Sequence, residues 1–265
     1  MDIFLLIGVV VGFLAVVVGM IVKGADVSVL LNPAAAIIIL IGTTAAVMNS
    51  FPKKEFLKIP KIASVLFRER KKENSAEIIE KIADLSQTAR KDGLLSLESV
   101  LQNIDNKFMR KGLGMVIDGI EQEYITEVLN NEIDSMEERH RAGASIFSTA
   151  GGAAPTLGVL GAVIGLIGAL GNLNDTEKLG HMIAAAFVAT LYGIFFGYVI
   201  CHPFSSRLKR KSHEEINIMR IILEGVLSIQ AGENPKSIIL KLSGMLEPKE
   251  RAKLEQSTET PSKAE

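Results

Sequence analysis

Four stretches of the chain, residues 3–22, 33–51, 143–173 and 182–204, are apolar almost throughout and contain no Asp, Glu, Lys or Arg. A helix rises 1.5 Å per residue, so roughly twenty residues bridge the ~30 Å hydrocarbon core of a bilayer. Each stretch is long enough to do so. Inside hydrocarbon an open chain satisfies its backbone donors and acceptors only as a helix, and the expectation is an all-α membrane protein with four transmembrane helices. Composition agrees: 48% of the 265 residues are hydrophobic and the mean hydropathy is +0.30, above that of a soluble domain. The first stretch lacks a basic leader and exceeds the apolar core of a signal peptide, so it reads as a retained span.

Charge placement orients the spans. Of 29 Lys and Arg residues, only Lys23 and Lys178 fall in the two short loops, whereas 16 lie between residues 52 and 141 and 11 follow Phe204. Cytoplasmic segments keep the basic excess, which puts both termini and the large insert in the cytoplasm. The basic clusters at Lys53-Lys54, 68–72 and 207–211 would hold those ends inside. Four regions follow: a peripheral hairpin of spans one and two (1–51), a helical cytoplasmic insert (52–142), a second hairpin (143–204), and a helical extension ending in a disordered tail (205–265).

The insert has helical periodicity. Ile78, Ile79, Ile82, Leu85 and Ala89 recur on one face, with Ser75 as the expected N-cap and Asp92-Gly93 as the stop. A second amphipathic segment covers 94–101. From 121 to 141 the pattern is charged and helical, with no Pro or Gly, so it should run unbroken into the third span. The fourth span should likewise continue through 209–230. Residues 255–265 are polar and read as disordered.

Small residues mark two of the spans. Gly158, Gly161, Gly165 and Gly168 are spaced 3, 4 and 3, on one helix face; Ala185, Ala189, Gly193 and Gly197 repeat every fourth residue. Such faces let backbones approach closely. They would serve a hairpin within the chain or an assembly with other helices, and two of them favour the assembly. Pro155 lacks a backbone donor and frees a carbonyl near Gly151. Thr190, taken alone, reads as bonding its own helix four residues back, and His202 as an interfacial residue. Because no span carries a central charge, a cation path along this chain needs its titrating group from another polypeptide.

Other chemistry is absent from the sequence. Cys201 is the single cysteine, which leaves no intrachain disulfide and no cysteine-based metal site, and it reads as a packed apolar side chain. No Walker loop, nucleophile elbow or zinc-protease motif occurs. The formal charge of −1 gives no reason to expect nucleic acid. The chain is expected to be no enzyme, to need no metal or cofactor, and to meet membrane lipid.

The order of elements and several strings together resemble the flagellar stator A-subunit, the MotA family: NPAAAIIILIGT in the second span, ARKDGLLSLE in the insert, APTLGVLGAVIGLIGAL in the third span and AAFVATLYGIFFGYVICHPF in the fourth. The Pro and Gly pattern of the last two spans is shared with ExbB and TolQ proteins, which have three spans. Four spans with a large insert between the second and third separate the two groups.

The resemblance implies five copies of this chain around two copies of a MotB-like B-subunit. That subunit carries the intramembrane aspartate. Ion flow across the bacterial inner membrane would then turn the ring and push the rotor protein FliG. It also implies ion-path or coupling positions at Pro155, Ala162, Thr190 and Pro203, and rotor contacts at Arg90, Lys91 and Glu98. Sodium-driven relatives carry Thr where this chain has Ala162, which favours protons. An ExbB- or TolQ-like transducer is the alternative; a membrane scaffold without ion flux would give Pro155 and Thr190 no role.

Overall fold

The computed structural model describes residues 3–67 and 74–259. The basic cluster expected at 68–72 and the last six residues of the tail lie outside them. Among the described residues every regular element is a helix, and the chain divides into two compact units, residues 1–70 with 139–210 and residues 71–138 with 211–265.

In the first unit, α1 (Ile3–Val22) and α2 (Pro33–Ser50) occupy the first two spans. Asp26 caps the short 3-10 turn Val27–Leu30 between them. Its carboxylate accepts from the Ser28 N–H, which lowers its pKa. Asn32 caps α2 by accepting from the Ala35 N–H at 3.0 Å, and Pro33 occupies the first turn, where its missing donor leaves nothing unsatisfied. Along α1 the apolar side chains point outward, with Phe4 at 78% and Val22 at 80% exposed. Such a surface is stable only against lipid or another chain. Two short helices follow, α3 (Lys53–Phe56) and α4 (Ile59–Phe67), the latter amphipathic.

In the second unit, α5 (Ser75–Asp92) buries Ile78, Ile79, Ile82 and Leu85, with Ala89 partly buried beside them. The N-cap differs from the expected one: Asn74, one residue earlier, accepts from the Ala76 N–H at 3.2 Å, so Ser75 is the first helical residue. The Asn carboxamide supplies a cap acceptor as well as a hydroxyl does. Gly93 ends α5 at φ +84°, ψ 161°. The segment 94–101 forms a 3-10 turn, Leu94–Leu97, and α6 (Glu98–Leu101). Next comes α7 (Lys107–Ile117), an amphipathic helix beyond those expected from the sequence, capped by Asn106.

Helix α8 (Gln122–Leu170) is unbroken over 49 residues, as expected of a charged segment running into the third span. After a tight turn, α9 (Thr176–Ile194), a π-helical segment Phe195–Cys201 and α10 (His202–Gln230) form one run of 55 residues. Both runs far exceed the roughly twenty residues a bilayer needs, and each passes from one unit into the other. Finally α11 (Pro235–Ser243) and α12 (Pro248–Glu259) complete the second unit. The tail expected to be disordered from 255 is helical through Glu259.

The second unit closes around one apolar cluster from α5, α7, α8, α10 and α11, with Ile79, Ile82, Ile125, Ile221, Val226 and Ile238 wholly buried. Polar side chains tie its ends. The Ser86 hydroxyl donates to the Glu233 carbonyl at 2.9 Å and the Gln230 amide to the Ile120 carbonyl at 2.7 Å. Gly225 has no side chain because α5 leaves no room for one: a Cβ there would stand 2.5 Å from Ile82 Cδ1.

Gly93 presents the opposite case. Nothing lies within 4 Å of a Cβ built on it, so any penalty for replacing it comes from the backbone angles alone, which only glycine adopts freely. Gly93→Ala should destabilise the second unit by about 1–3 kcal/mol, read as a lowered helical melting temperature of the purified protein by circular dichroism. An unchanged melt would show that the turn relaxes to another conformation.

Candidate functional site

The candidate site is the hairpin of α8 and α9 and its continuation through the π-helical segment. Its geometry follows from where side chains are missing. A Cβ on Gly158 would lie 3.0 Å from the Ala189 carbonyl oxygen and 3.1 Å from Thr190 Cα. One on Gly161 would meet Ala189 Cβ at 2.8 Å, one on Gly165 would meet Ala186 Cβ at 2.8 Å, and one on Gly168 would meet Met182 Cε at 2.5 Å. From the other helix, a Cβ on Gly193 would press on the Ala154 carbonyl oxygen at 2.5 Å, and one on Gly197 on the Gly151 carbonyl oxygen at 2.7 Å.

The small faces therefore meet each other within one chain. The sequence favoured an assembly for them; the hairpin uses them instead. The matching residue on α9 is Ala186, not Ala185. On α8 the face extends through Gly151 and Ala154, continuing the 3-and-4 spacing toward the N-terminus. The same spacing is present in the sequence from Gly151, seven residues before Gly158.

Pro155 is half-buried inside α8. In a helix its nitrogen would bond the Gly151 carbonyl, and proline has no N–H to do so. The freed oxygen faces Gly197 on the π-helical segment, where a built Cβ would lie 2.7 Å from it, close enough for a Cα–H contact. Gly197 also takes Pro155 against its backbone, since a Cβ there would lie 2.9 Å from Pro155 Cδ. Within the π segment the His202 N–H bonds the Gly197 carbonyl, five residues back. This widened turn immediately precedes Pro203, which is exposed and again lacks a donor. Single π turns are often found at functional sites.

Thr190 does not bond its own helix. Its hydroxyl donates across the hairpin to the Gly158 carbonyl, at a long 3.4 Å, which leaves it only loosely committed. Ala162 is half-buried on the following turn of α8. The His202 ring packs over Gly151, where a Cβ would stand 2.9 Å from it, and lies 5.3 Å from the Tyr198 ring at a 37° tilt. It is a hairpin contact rather than a purely interfacial residue. Below it, the buried Ser205 hydroxyl donates to the Ala144 carbonyl at 2.8 Å. Cys201 is buried and free, as its packed reading required.

The second set of positions lies elsewhere on the chain. Arg90 and Lys91 occupy the last turn of α5, where cations favour the helix dipole, and Glu98 opens α6, where an anion does. All three are exposed, and none pairs with another side chain among the described residues. The turn from Gly93 to Leu97 brings them to the two ends of one bend. Leu95 on that bend is 71% exposed, whereas Leu97 is buried. Nothing in the LLSL string separates these leucines in advance. Among the described residues no group of His, Cys, Asp or Glu is arranged to hold a metal ion.

Residues 6–93 match the model of the Motility protein A N-terminal family, and residues 100–221 that of the MotA/TolQ/ExbB proton channel family. Motility protein A of Bacillus subtilis is 48% identical over 259 residues, 98% of this chain and 96% of that protein. The chain belongs to the MotA family. The flagellar MotAB stator complex from Bacillus subtilis has a chain that superposes with a TM-score of 0.88 at 49% identity, covering 94% of this chain and 98% of its own. The structure of C. jejuni MotAB contains another with a TM-score of 0.88 at 30% identity, covering 94% and 97%. A membrane protein with four spanning helices is thus the MotA arrangement, and the N-terminal match separates it from an ExbB- or TolQ-like chain.

The hairpin geometry sets a sharp contrast among glycines. Gly193→Ala places a methyl against the α8 backbone, which cannot give way without separating the helices, whereas Gly19 in α1 has nothing within 4 Å. Gly193→Ala should cut the folded yield of the membrane-extracted protein several-fold, and Gly19→Ala should leave it at the parent level, both measured by fluorescence-detected size exclusion. Equal yields would mean that the hairpin tolerates a wider crossing.

Proposed function

We propose that the chain works as the A-subunit of a flagellar stator, coupling proton flow across the cytoplasmic membrane to torque on a rotor. The observation that supports this best is the near-complete match to a chain of a solved MotAB stator complex at 49% identity. The spans themselves point the same way, since none holds a central charge and a proton needs a titrating group to cross. A B-subunit helix bearing a carboxylate supplies it. In this reading five copies of the chain surround two B-subunits, both termini face the cytoplasm, and the insert carries the rotor contact. The bilayer potential contributes about 2.3 kcal/mol per charge per 100 mV, which a rotation can convert to work without covalent chemistry.

Each site residue takes a role in this scheme. Pro155 frees the Gly151 carbonyl against the π-helical segment and so loosens the α8 backbone beside the path, and the loosely held Thr190 hydroxyl is free to exchange partners with a passing ion or its water. Ala162 offers only a methyl at the position where a hydroxyl would help strip sodium of its water. Pro203 and the π-helical turn before it form a joint below the path. Arg90, Lys91 and Glu98 present opposite charges on one bend to the rotor protein FliG. Exposed pairs of this kind contribute little individually, so the contact is suited to rapid making and breaking.

Co-purification from membranes tests the assembly: the full-length chain should bring down a single-span protein with an intramembrane Asp, and its absence would overturn the stator reading. Arg90→Glu or Glu98→Lys should lower torque measured on tethered cells, with partial recovery when the facing rotor charge is also reversed; full motility in both variants would remove these residues from the contact. Swimming speed should persist when sodium is withdrawn at fixed pH. A stop in swimming under that condition would transfer the coupling to sodium.

A further inference from the structure

In the first unit a cavity of about 390 Å³ lies between α2, the short helices α3 and α4, α8 and the π-helical segment. Its walls are apolar, with Leu40, Val47, Phe56, Ile146 and Ala150 among them, and its size falls in the range of ordinary ligand pockets. One wall residue is out of keeping. Thr43 is 3% exposed, and its hydroxyl has no hydrogen-bond partner. Its neighbours on α2 behave otherwise: Thr44 donates to the Leu40 carbonyl at 2.7 Å and Ser50 to the Ala46 carbonyl at 2.8 Å. A buried hydroxyl left unpaired is unfavourable, and Thr43 is among the residues that line the cavity.

The rim adds a second constraint. Leu57, Ile59 and Pro60 line the cavity, and interleaved with them are Lys58 and Lys61, with Lys53 and Lys54 one turn earlier, all exposed. Glu55 is the one acidic residue on these two helices. An occupant matching this site needs an apolar chain, an oxygen near its polar end, and a negative charge beyond that oxygen. We infer that the cavity between α2, α4 and α8 binds an anionic phospholipid: an acyl chain against Leu40, Val47 and Ile146, an ester oxygen at the Thr43 hydroxyl, and the phosphate among Lys58 and Lys61.

The cavity contains its own reporter, because Cys201, the single cysteine of the chain, lies on its wall. The test uses the full-length chain in its native assembly, reconstituted in vesicles of phosphatidylcholine with or without phosphatidylglycerol of the same chain length. Retained lipid after extraction should be enriched in phosphatidylglycerol by about tenfold or more, as two lysines at a membrane surface supply. Alkylation of Cys201 by N-ethylmaleimide should slow when phosphatidylglycerol is present. Lys58→Gln with Lys61→Gln, surface changes that leave the fold intact, should abolish both the enrichment and the protection. Thr43→Val, which keeps the shape and removes the hydroxyl, should lower retention several-fold, and Ala150→Phe, which fills the cavity, should lose retained lipid altogether. Equal retention of the two lipids by the parent chain, alkylation indifferent to lipid, or undiminished retention in Ala150→Phe would each overturn the assignment. So would shielding of Cys201 by a second copy of the chain in phosphatidylcholine alone.

Discussion

Lipid tails are as apolar as leucine, so two membrane helices gain nothing from hiding apolar surface from water. What remains is the quality of their contact, and here that contact is backbone against backbone. Gly158, Gly161, Gly165 and Gly168 on α8 face Ala189, Ala186 and Met182 on α9, while Gly193 and Gly197 face the Ala154 and Gly151 carbonyls. The approach is close enough to bring Cα–H groups onto carbonyl oxygens, each such contact contributing about 0.5–1 kcal/mol. Everything assigned to this hairpin depends on it. The Thr190 hydroxyl reaches Gly158 only because no Cβ intervenes, and the carbonyl freed by Pro155 faces protein only because Gly197 is opposite.

A second constraint acts along the helices instead of across them. The runs through α8 and through α9 to α10 are each more than twice the length a bilayer requires, and both enter the second unit without a stop. That unit is built like a soluble domain, with α5, α7, α8, α10 and α11 sharing one apolar cluster. The same two helices therefore obey different solvents at their two ends: close-packed small residues in the spans, large aliphatic residues beyond them.

The four spans, their ends and the two long helices were legible in the sequence because charge is excluded from hydrocarbon and because Pro and Gly are absent between 121 and 141. Gly93 was legible as a stop for a similar reason. Small-residue spacing revealed that α8 and α9 each have a close-contact face but not which partner each one meets, since a hairpin and an assembly leave the same pattern. The Asn74 cap was missed because Asn and Ser serve equally there. α7 and α11 escaped because their amphipathic patterns are short and sit between stronger ones. The positions at Arg90, Lys91 and Glu98 were visible only through family resemblance: an exposed charge without a partner has no signature of its own. Nor did any pattern in one dimension mark the cavity at Thr43, which is assembled from α2, α4 and α8.

The π-helical segment Phe195–Cys201 has a further effect on the chain that passes through it. A wide turn is an α-helix with one residue too many, and one residue is worth about 100° of rotation about the axis. The stripe that runs down α9 and the stripe that continues along α10 are thus deliberately out of phase, which is how Gly193 and Ser205, twelve residues apart, both come to face α8. A single-residue deletion in this segment would scarcely alter the length of the span. It would turn Ser205 and Leu208 away from Ala144 and present their neighbours in their place, so the segment works as a splice that sets angle independently of depth.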